Sequence, residues 1–93
     1  MKAFYIVSYD IAEDTRRLKV ARVLEGYGTR VQRSVFECYL DSRQLERLKS
    51  RVARLIRPEE DSVRFYRLCE GCRGRIEILG LGQVTERPDL FVF

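Results

Sequence analysis

Asp10 is the sharpest chemical candidate in the chain. It stands in Ser8-Tyr9-Asp10-Ile11, where an alternating apolar run stops. A carboxylate at the C-terminal end of a hydrophobic strand sits at an element's edge, where a ligand can reach it. The structural alternative is a turn-forming Asp bonded to nearby N–H groups. One carboxylate alone is a poor metal site, because magnesium takes one or two carboxylates with waters and substrate phosphates completing its octahedron. Two chains meeting at their first strands about a two-fold axis would bring two Asp10 side chains face to face. A Mg2+ or Mn2+ ion between them would relieve their repulsion and could activate a water against a phosphodiester.

Cationic side chains gather beside that aspartate. Arg16, Arg17 and Lys19, with Arg22 one turn on, fall in the first turns of the helix that follows. Cations at a helix N-terminus oppose the macrodipole at a cost of some tenths of a kcal/mol, about 0.3–1 each. Local stability therefore does not explain them, although Glu13 and Asp14 offset part of the cost. Arg30 and Arg33 flank Val31 and are expected on one strand face as a second backbone contact. A third basic surface, Arg43, Arg47, Lys49, Arg51, Arg54 and Arg57 against Glu46, reads more simply as a solvated helix face.

Composition narrows the chemistry. The 93 residues carry 18 basic and 14 acidic side chains, net +4, and 15 of the 18 are Arg. Arg grips phosphate and carboxylate in bidentate fashion, which leans toward a nucleic-acid partner; a general surface preference for Arg is the alternative. There is no His. That excludes imidazole acid–base chemistry, His metal ligands, Ser-His-Asp and Cys-His nucleophiles and a His-based pH switch. Cys69-Glu70-Gly71-Cys72 is a CxxC with Cys38 distant in sequence. Three Cys without His cannot complete a four-ligand zinc site in one chain. Lying between two expected strands, the pair lacks the strand-then-helix context of a thioredoxin-like site and reads as a reduced turn feature or an occasional disulfide. Cys38 reads as core.

The elements that must position these residues follow from periodicity. The first strand is residues 2–9, with Tyr5, Val7 and Tyr9 on one face and Phe4, Ile6 and Ser8 on the other. Asp14 is the expected N-cap of a helix carrying Leu18, Ala21, Leu24 and Tyr27, and Gly26 and Gly28 bracket its end. Two β runs follow, Thr29–Gln32 and Ser34–Leu40, with a break or bulge near Arg33. A second helix over about 42–56 is capped by Asp41 or Ser42, buries Leu45, Leu48, Val52 and Leu55, and is stopped by Pro58. A fourth strand covers 62–69 and a fifth Arg75–Gly80, before an apolar run Leu90–Phe93.

This order predicts one α+β domain over 1–93: a ferredoxin-like βαββαβ plan with an additional C-terminal strand, an antiparallel sheet and both helices on one face. The other face is left partly apolar and open, which predicts a homodimer. Residues 83–93 form a tail suited to strand addition on the partner subunit. No apolar stretch approaches the roughly 20 residues of a membrane span, and Met1–Val7 reads as a strand rather than a leader, so a cytoplasmic protein with no membrane partner is expected. An RNA-recognition module shares this topology, but its Lys/Arg-Gly-aromatic run is missing from Ser34-Val35-Phe36-Glu37-Cys38.

Taken as an ordered set, Tyr9-Asp10-Ile11, Arg16-Arg17, Lys19-Val20, Gly28 with Val31-Gln32 and Ser34-Val35-Phe36-Glu37, and Asp61-Ser62-Val63-Arg64 with Tyr66 and Leu68 carry a resemblance. From Lys2 to about Gly82 the chain resembles the small adaptation subunit of CRISPR systems, the second core CRISPR-associated protein, also classed as a CRISPR-associated endoribonuclease. The resemblance implies a ferredoxin-like homodimer acting in spacer acquisition, with DNA or RNA backbone and the CRISPR integrase subunit as partners. It implies Asp10 as magnesium ligand and catalytic residue of an endonuclease acting on single-stranded RNA or double-stranded DNA. Tyr9, Arg17 and Phe36 would be site neighbours and Arg16 and Arg33 backbone contacts, to which the charge reading adds Arg17 and Lys19. Nothing carries over to the CxxC. Two other readings compete: a ferredoxin-like ribonuclease toxin of a toxin–antitoxin pair, and a non-catalytic scaffold in which Asp10 only shapes the dimer axis.

Overall fold

A computed structural model describes residues 1–87. The elements run β1 (Ala3–Asp10), α1 (Asp14–Glu25), β2 (Thr29–Gln32), β3 (Val35–Leu40), α2 (Ser42–Ala53), β4 (Ser62–Leu68) and a single-turn α3 (Glu70–Arg73). Strand order is β2-β3-β1-β4, antiparallel at every pairing. This is the expected split-βαβ, ferredoxin-like plan. No helix among the described residues is long and apolar enough to cross a membrane.

Strand alternation builds the core. Tyr5, Val7 and Tyr9 of β1 join Phe36, Cys38 and Leu40 of β3 under Val20, Ala21 and Leu24 of α1 and Leu48 and Val52 of α2. Each helix is stopped and started by specific bonds. The N-cap of α1 is Glu13, not Asp14: its carboxylate accepts N–H bonds from Thr15 at 2.8 Å and Arg16 at 2.9 Å. The longer side chain reaches two orphan donors at once, which leaves Asp14 as the first helical residue. Asp41 caps α2 in a reciprocal box with Gln44, at 2.7 and 3.0 Å.

The opposite sheet face is not simply open. Phe4 and Tyr39 are buried there, under the guanidinium of Arg73 at 5.6 and 5.7 Å from their ring centroids. The Thr85 N–H donates to the buried Glu37 carboxylate at 2.9 Å. Residues 73–87 thus form a strap over one end of the chain's own sheet. At the other end Ile6 and Ser8 are half-buried and Asp10 is exposed.

The expected fifth strand, Arg75–Gly80, is not formed. The Arg75 and Ile76 N–H groups are taken by Cys72 and Arg73 carbonyls, which continue the turn of α3. Gly80 and Gly82 then turn the chain at φ 94° and 118°. The run pairs with neither open edge of the sheet, β2 or β4, because its first N–H groups are spent on the α3 turn. Leu79 and Leu81 are left fully exposed. Of the tail expected on a partner, residues 88–93 lie outside the described residues, while Thr85 lies on its own β3.

Gly28 lets the turn after α1 press against β3. A Cβ there would meet the Cys38 Sγ at 2.4 Å and the Glu37 carbonyl oxygen at 2.5 Å. Gly28→Ala should destabilise by about 1–3 kcal/mol in urea unfolding. Gly26→Ala, with only the Val23 carbonyl at 3.4 Å, should change stability by no more than about 1 kcal/mol in either direction. Equal effects of the two substitutions would contradict this packing.

Candidate functional site

Asp10 is the last residue of β1 and pairs across to Ser62 of β4. Pairing with β3 has already ended at Ser8 opposite Val35. The aspartate therefore stands at a corner, held on one edge and free on the other. Its side chain is exposed, with no hydrogen bond or ion pair to a described residue. Beside it opens a cleft of about 450 Å³ lined by Tyr9, Asp10, Arg17, Arg30, Arg33 and Ser34, among others. One unpaired carboxylate and three guanidinium groups share this space.

Each neighbour is placed by a specific contact. Arg17 donates from Nη1 to the Ile11 and Ala12 carbonyls at 3.0 and 3.1 Å and pairs with Asp14, so it fixes the backbone immediately after Asp10. Tyr9 is buried; its hydroxyl donates to the Arg33 carbonyl at 3.0 Å and accepts from Arg30 Nη2 at 3.2 Å. Phe36 is fully buried, 6.4 Å from the Tyr9 ring and 5.3 Å beneath the Arg30 guanidinium. It forms a floor under both and does not reach the cleft surface. Lys19 and Arg33 are exposed, and neither side chain has a described partner.

Arg30 and Arg33, expected on one strand face, both line the cleft, but only Arg30 belongs to β2. Three residues apart on a regular strand, they would point to opposite faces. The register shifts between Arg30 and Gln32, where β2 ends, and Arg33 stands in the turn that follows. Arg30 is accordingly a fuller member of the site than its sequence position indicated, because it is tied to Tyr9.

A family model for CRISPR associated protein Cas2 matches residues 1–76. The chain belongs to the Cas2 family. It is 54% identical over 91 residues to the CRISPR-associated endoribonuclease Cas2 1 of Chloroflexus aurantiacus, covering 96% of this chain and 98% of that one. To the CRISPR-associated endonuclease Cas2 2 of Thermus thermophilus it is 49% identical, covering 98% and 97%. Among solved structures, the hypothetical protein TT1823 from Thermus thermophilus superposes with a TM-score of 0.83 at 49% identity, over 92% of this chain and all of that one. A chain in a partial Cas6-RT-Cas1–Cas2 complex superposes at 0.68 and 35% identity, over 85% and 91%.

In this Cas2 chain, Arg16 departs most from its expected role as a backbone contact. Its Nε donates to Asp61 at 2.8 Å, and Nη2 reaches Glu60 at 3.1 Å and the other Asp61 oxygen at 3.3 Å. Asp61 is buried and also accepts the Arg57 N–H at 2.9 Å. These donors hold its carboxyl below the usual range, the Arg16 bond foremost, while the Asp61 bond holds the Arg16 guanidinium up. The pair ties the start of α1 to the entry of β4.

A depressed carboxyl stabilises the fold above its unfolded pKa, and that stabilisation is lost as pH falls through the folded value. Asp61→Asn should lower the urea midpoint at neutral pH, and the gap to the parent should close below about pH 4. Glu60→Gln, at a half-exposed side chain, should shift the midpoint far less. A gap that persists undiminished at strongly acid pH would remove the Asp61 ion pair as its cause.

Proposed function

We propose that this protein is a homodimeric, nucleic-acid-binding subunit of the CRISPR adaptation complex. In this reading it partners an integrase subunit and cleaves phosphodiester bonds at paired Asp10 carboxylates. The observation that carries this reading is the exposed, unpartnered Asp10 beside Arg17, Arg30 and Arg33 in one cleft. Family membership favours adaptation over the ribonuclease-toxin alternative, and the likeness to a chain in a Cas1–Cas2 complex supports the integrase partner. The relatives' names, endoribonuclease and endonuclease, support a nuclease without separating RNA from double-stranded DNA. Exposed Tyr66, Leu79 and Leu81 support a second copy against the sheet face. A nucleic-acid substrate accords with the expected cytoplasmic location.

The donor set bears on the metal. No group of three or more His, Cys, Asp and Glu side chains able to hold an ion occurs among the described residues. One chain thus offers a single hard oxygen donor, and a two-fold pair offers two. That suits Mg2+ or Mn2+ with waters and phosphate oxygens, and does not suit zinc. Asp10 of each chain would hold the ion, which when bound supplies charge compensation and an acidified water. Arg30 and Arg33 neutralise phosphate oxygens at the cleft, and Arg17 keeps the Ile11–Ala12 backbone from moving Asp10 out of line. Tyr9, its hydroxyl already committed, acts as a positioning residue. With no His in the chain, no imidazole serves as general acid to the leaving oxygen.

A scaffold without catalysis is the second reading, favoured by the single unassisted carboxylate of each chain. Asp10→Asn, or chelation, should lower cleavage of RNA and duplex DNA at least ~100-fold with dimer mass and thermal midpoint unchanged. Full cleavage by the variant would sink the nuclease assignment; spacer acquisition surviving the loss of cleavage would favour the scaffold. Binding gives a separate measure. Arg33→Ala and Lys19→Ala should each reduce the salt slope of binding by about one for all sequences alike. Arg16→Ala should act on stability instead of on that slope, because its guanidinium is occupied by Asp61 and Glu60.

A further inference from the structure

The CxxC takes no part in the cleft at Asp10, yet it is better placed than its sequence context indicated. β4 ends at Leu68, Cys69 is the N-cap of α3, and Cys72 lies in the same turn. Both thiols are free and exposed, whereas Cys38 is buried. The Cys72 N–H donates to Cys69 Sγ at 3.4 Å. Residues three apart on one helical turn have Cβ atoms about 5–6 Å apart. A disulfide needs about 3.5–4.5 Å, so closure takes a shift of roughly 1–2 Å inside a single turn.

What α3 holds gives that closure a consequence. Arg73 donates to the Thr85 carbonyl, lies 4.0 Å from Glu86 and covers the Phe4 and Tyr39 rings. Glu70 accepts from Arg87 at 3.3 Å. Two side chains of this one turn therefore hold Thr85–Arg87 in place, and the Thr85 N–H completes the arrangement at Glu37.

We propose that Cys69 and Cys72 form a reversible thiol–disulfide site, with a small-molecule disulfide of the glutathione class as co-reactant, and that closing it tightens the 73–87 strap on the sheet. The Cys69 thiolate attacks one sulfur of the external disulfide, forming a mixed disulfide and releasing one thiolate. The Cys72 thiolate then displaces the second. The two released thiolates leave as thiols, carrying the protein's two thiol protons. The protein loses two electrons and the external disulfide gains them. The roles are unequal: the Cys72 N–H bond foremost holds the Cys69 thiol below its ordinary value, and the side-chain bond to Cys69 raises Cys72. Burial pushes Cys38 up to about 12, which keeps it out of the exchange. This site stands independently of the nuclease and scaffold readings.

The test is equilibration of the full chain with oxidised and reduced glutathione, read by intact mass and amide hydrogen exchange. The expected product has lost two hydrogens and carries no adduct. Cys72→Ser should keep one glutathione on Cys69, and Cys69→Ser should react at least about tenfold more slowly. The Thr85 amide should exchange at least about threefold more slowly in the oxidised protein and recover on reduction. Four results would each overturn the proposal: a stable double adduct, interchain disulfides in place of the internal one, zinc retained through dialysis with both thiols protected, or equal reactivity of the two single variants. Unchanged Thr85 exchange would overturn the link to the strap.

Discussion

β1 hydrogen-bonds along both edges, to β3 through Ala3–Ser8 and to β4 through Phe4–Asp10. A strand paired on both sides cannot slip without moving every side chain to the wrong face. Its two pairings are of unequal length, and the corner at Asp10 comes from that inequality. β3 lets go two residues before β4 does. The Tyr9 N–H still reaches the Ser34 carbonyl at 3.0 Å, but Asp10 has a neighbour on one side only. The cleft is the gap left by the shorter partner, and Arg30 of β2 fills its rim together with Arg33 and Ser34 of the turn.

The arginines divide into those that build the fold and those that face outward. Arg16 closes on Asp61, Arg17 on the Ile11 and Ala12 carbonyls, and Arg73 on Phe4, Tyr39 and Thr85. These are guanidinium uses in which a planar fork with several donors matters more than net charge. Lys19 and Arg33 remain outward with no described partner. A surplus of +4 thus overstates the cation available to a polyanion at the helix start and understates its concentration around the cleft. Arg30 belongs to both groups, since it anchors Tyr9 and lines the open space.

Much of the arrangement was legible in the residues. Alternation in Tyr5-Ile6-Val7-Ser8-Tyr9 placed Asp10 at a strand end, and the Leu48–Val52 spacing buried the right face of α2. Departures from these readings have local causes. Glu13 displaced Asp14 as cap because its longer carboxylate reaches two N–H groups. Arg75–Gly80 has strand-like composition, but its first N–H groups bond back to α3 and turning glycines stand at its end, Gly80, and just past it, Gly82. The CxxC acquired a helical context because Arg73, Gly74, Arg75 and Ile76 donate back into the turn, a pattern that residue types alone do not announce.

The residues by themselves determined what depends on local period and on chemical inventory: the element order from β1 to β4, the core faces, the absence of imidazole chemistry and the strand-end position of Asp10. Tertiary structure decided the partners of the long side chains. Asp61 meets Arg16 across 45 positions, Thr85 meets Glu37 across 48, and Arg30 of β2 and Arg33 of the turn after it line one cleft. Such meetings depend on how two helices and a strap cross a twisted sheet. An arginine's reach spans several competing acceptors, so its sequence neighbours do not choose among them; the packed chain does.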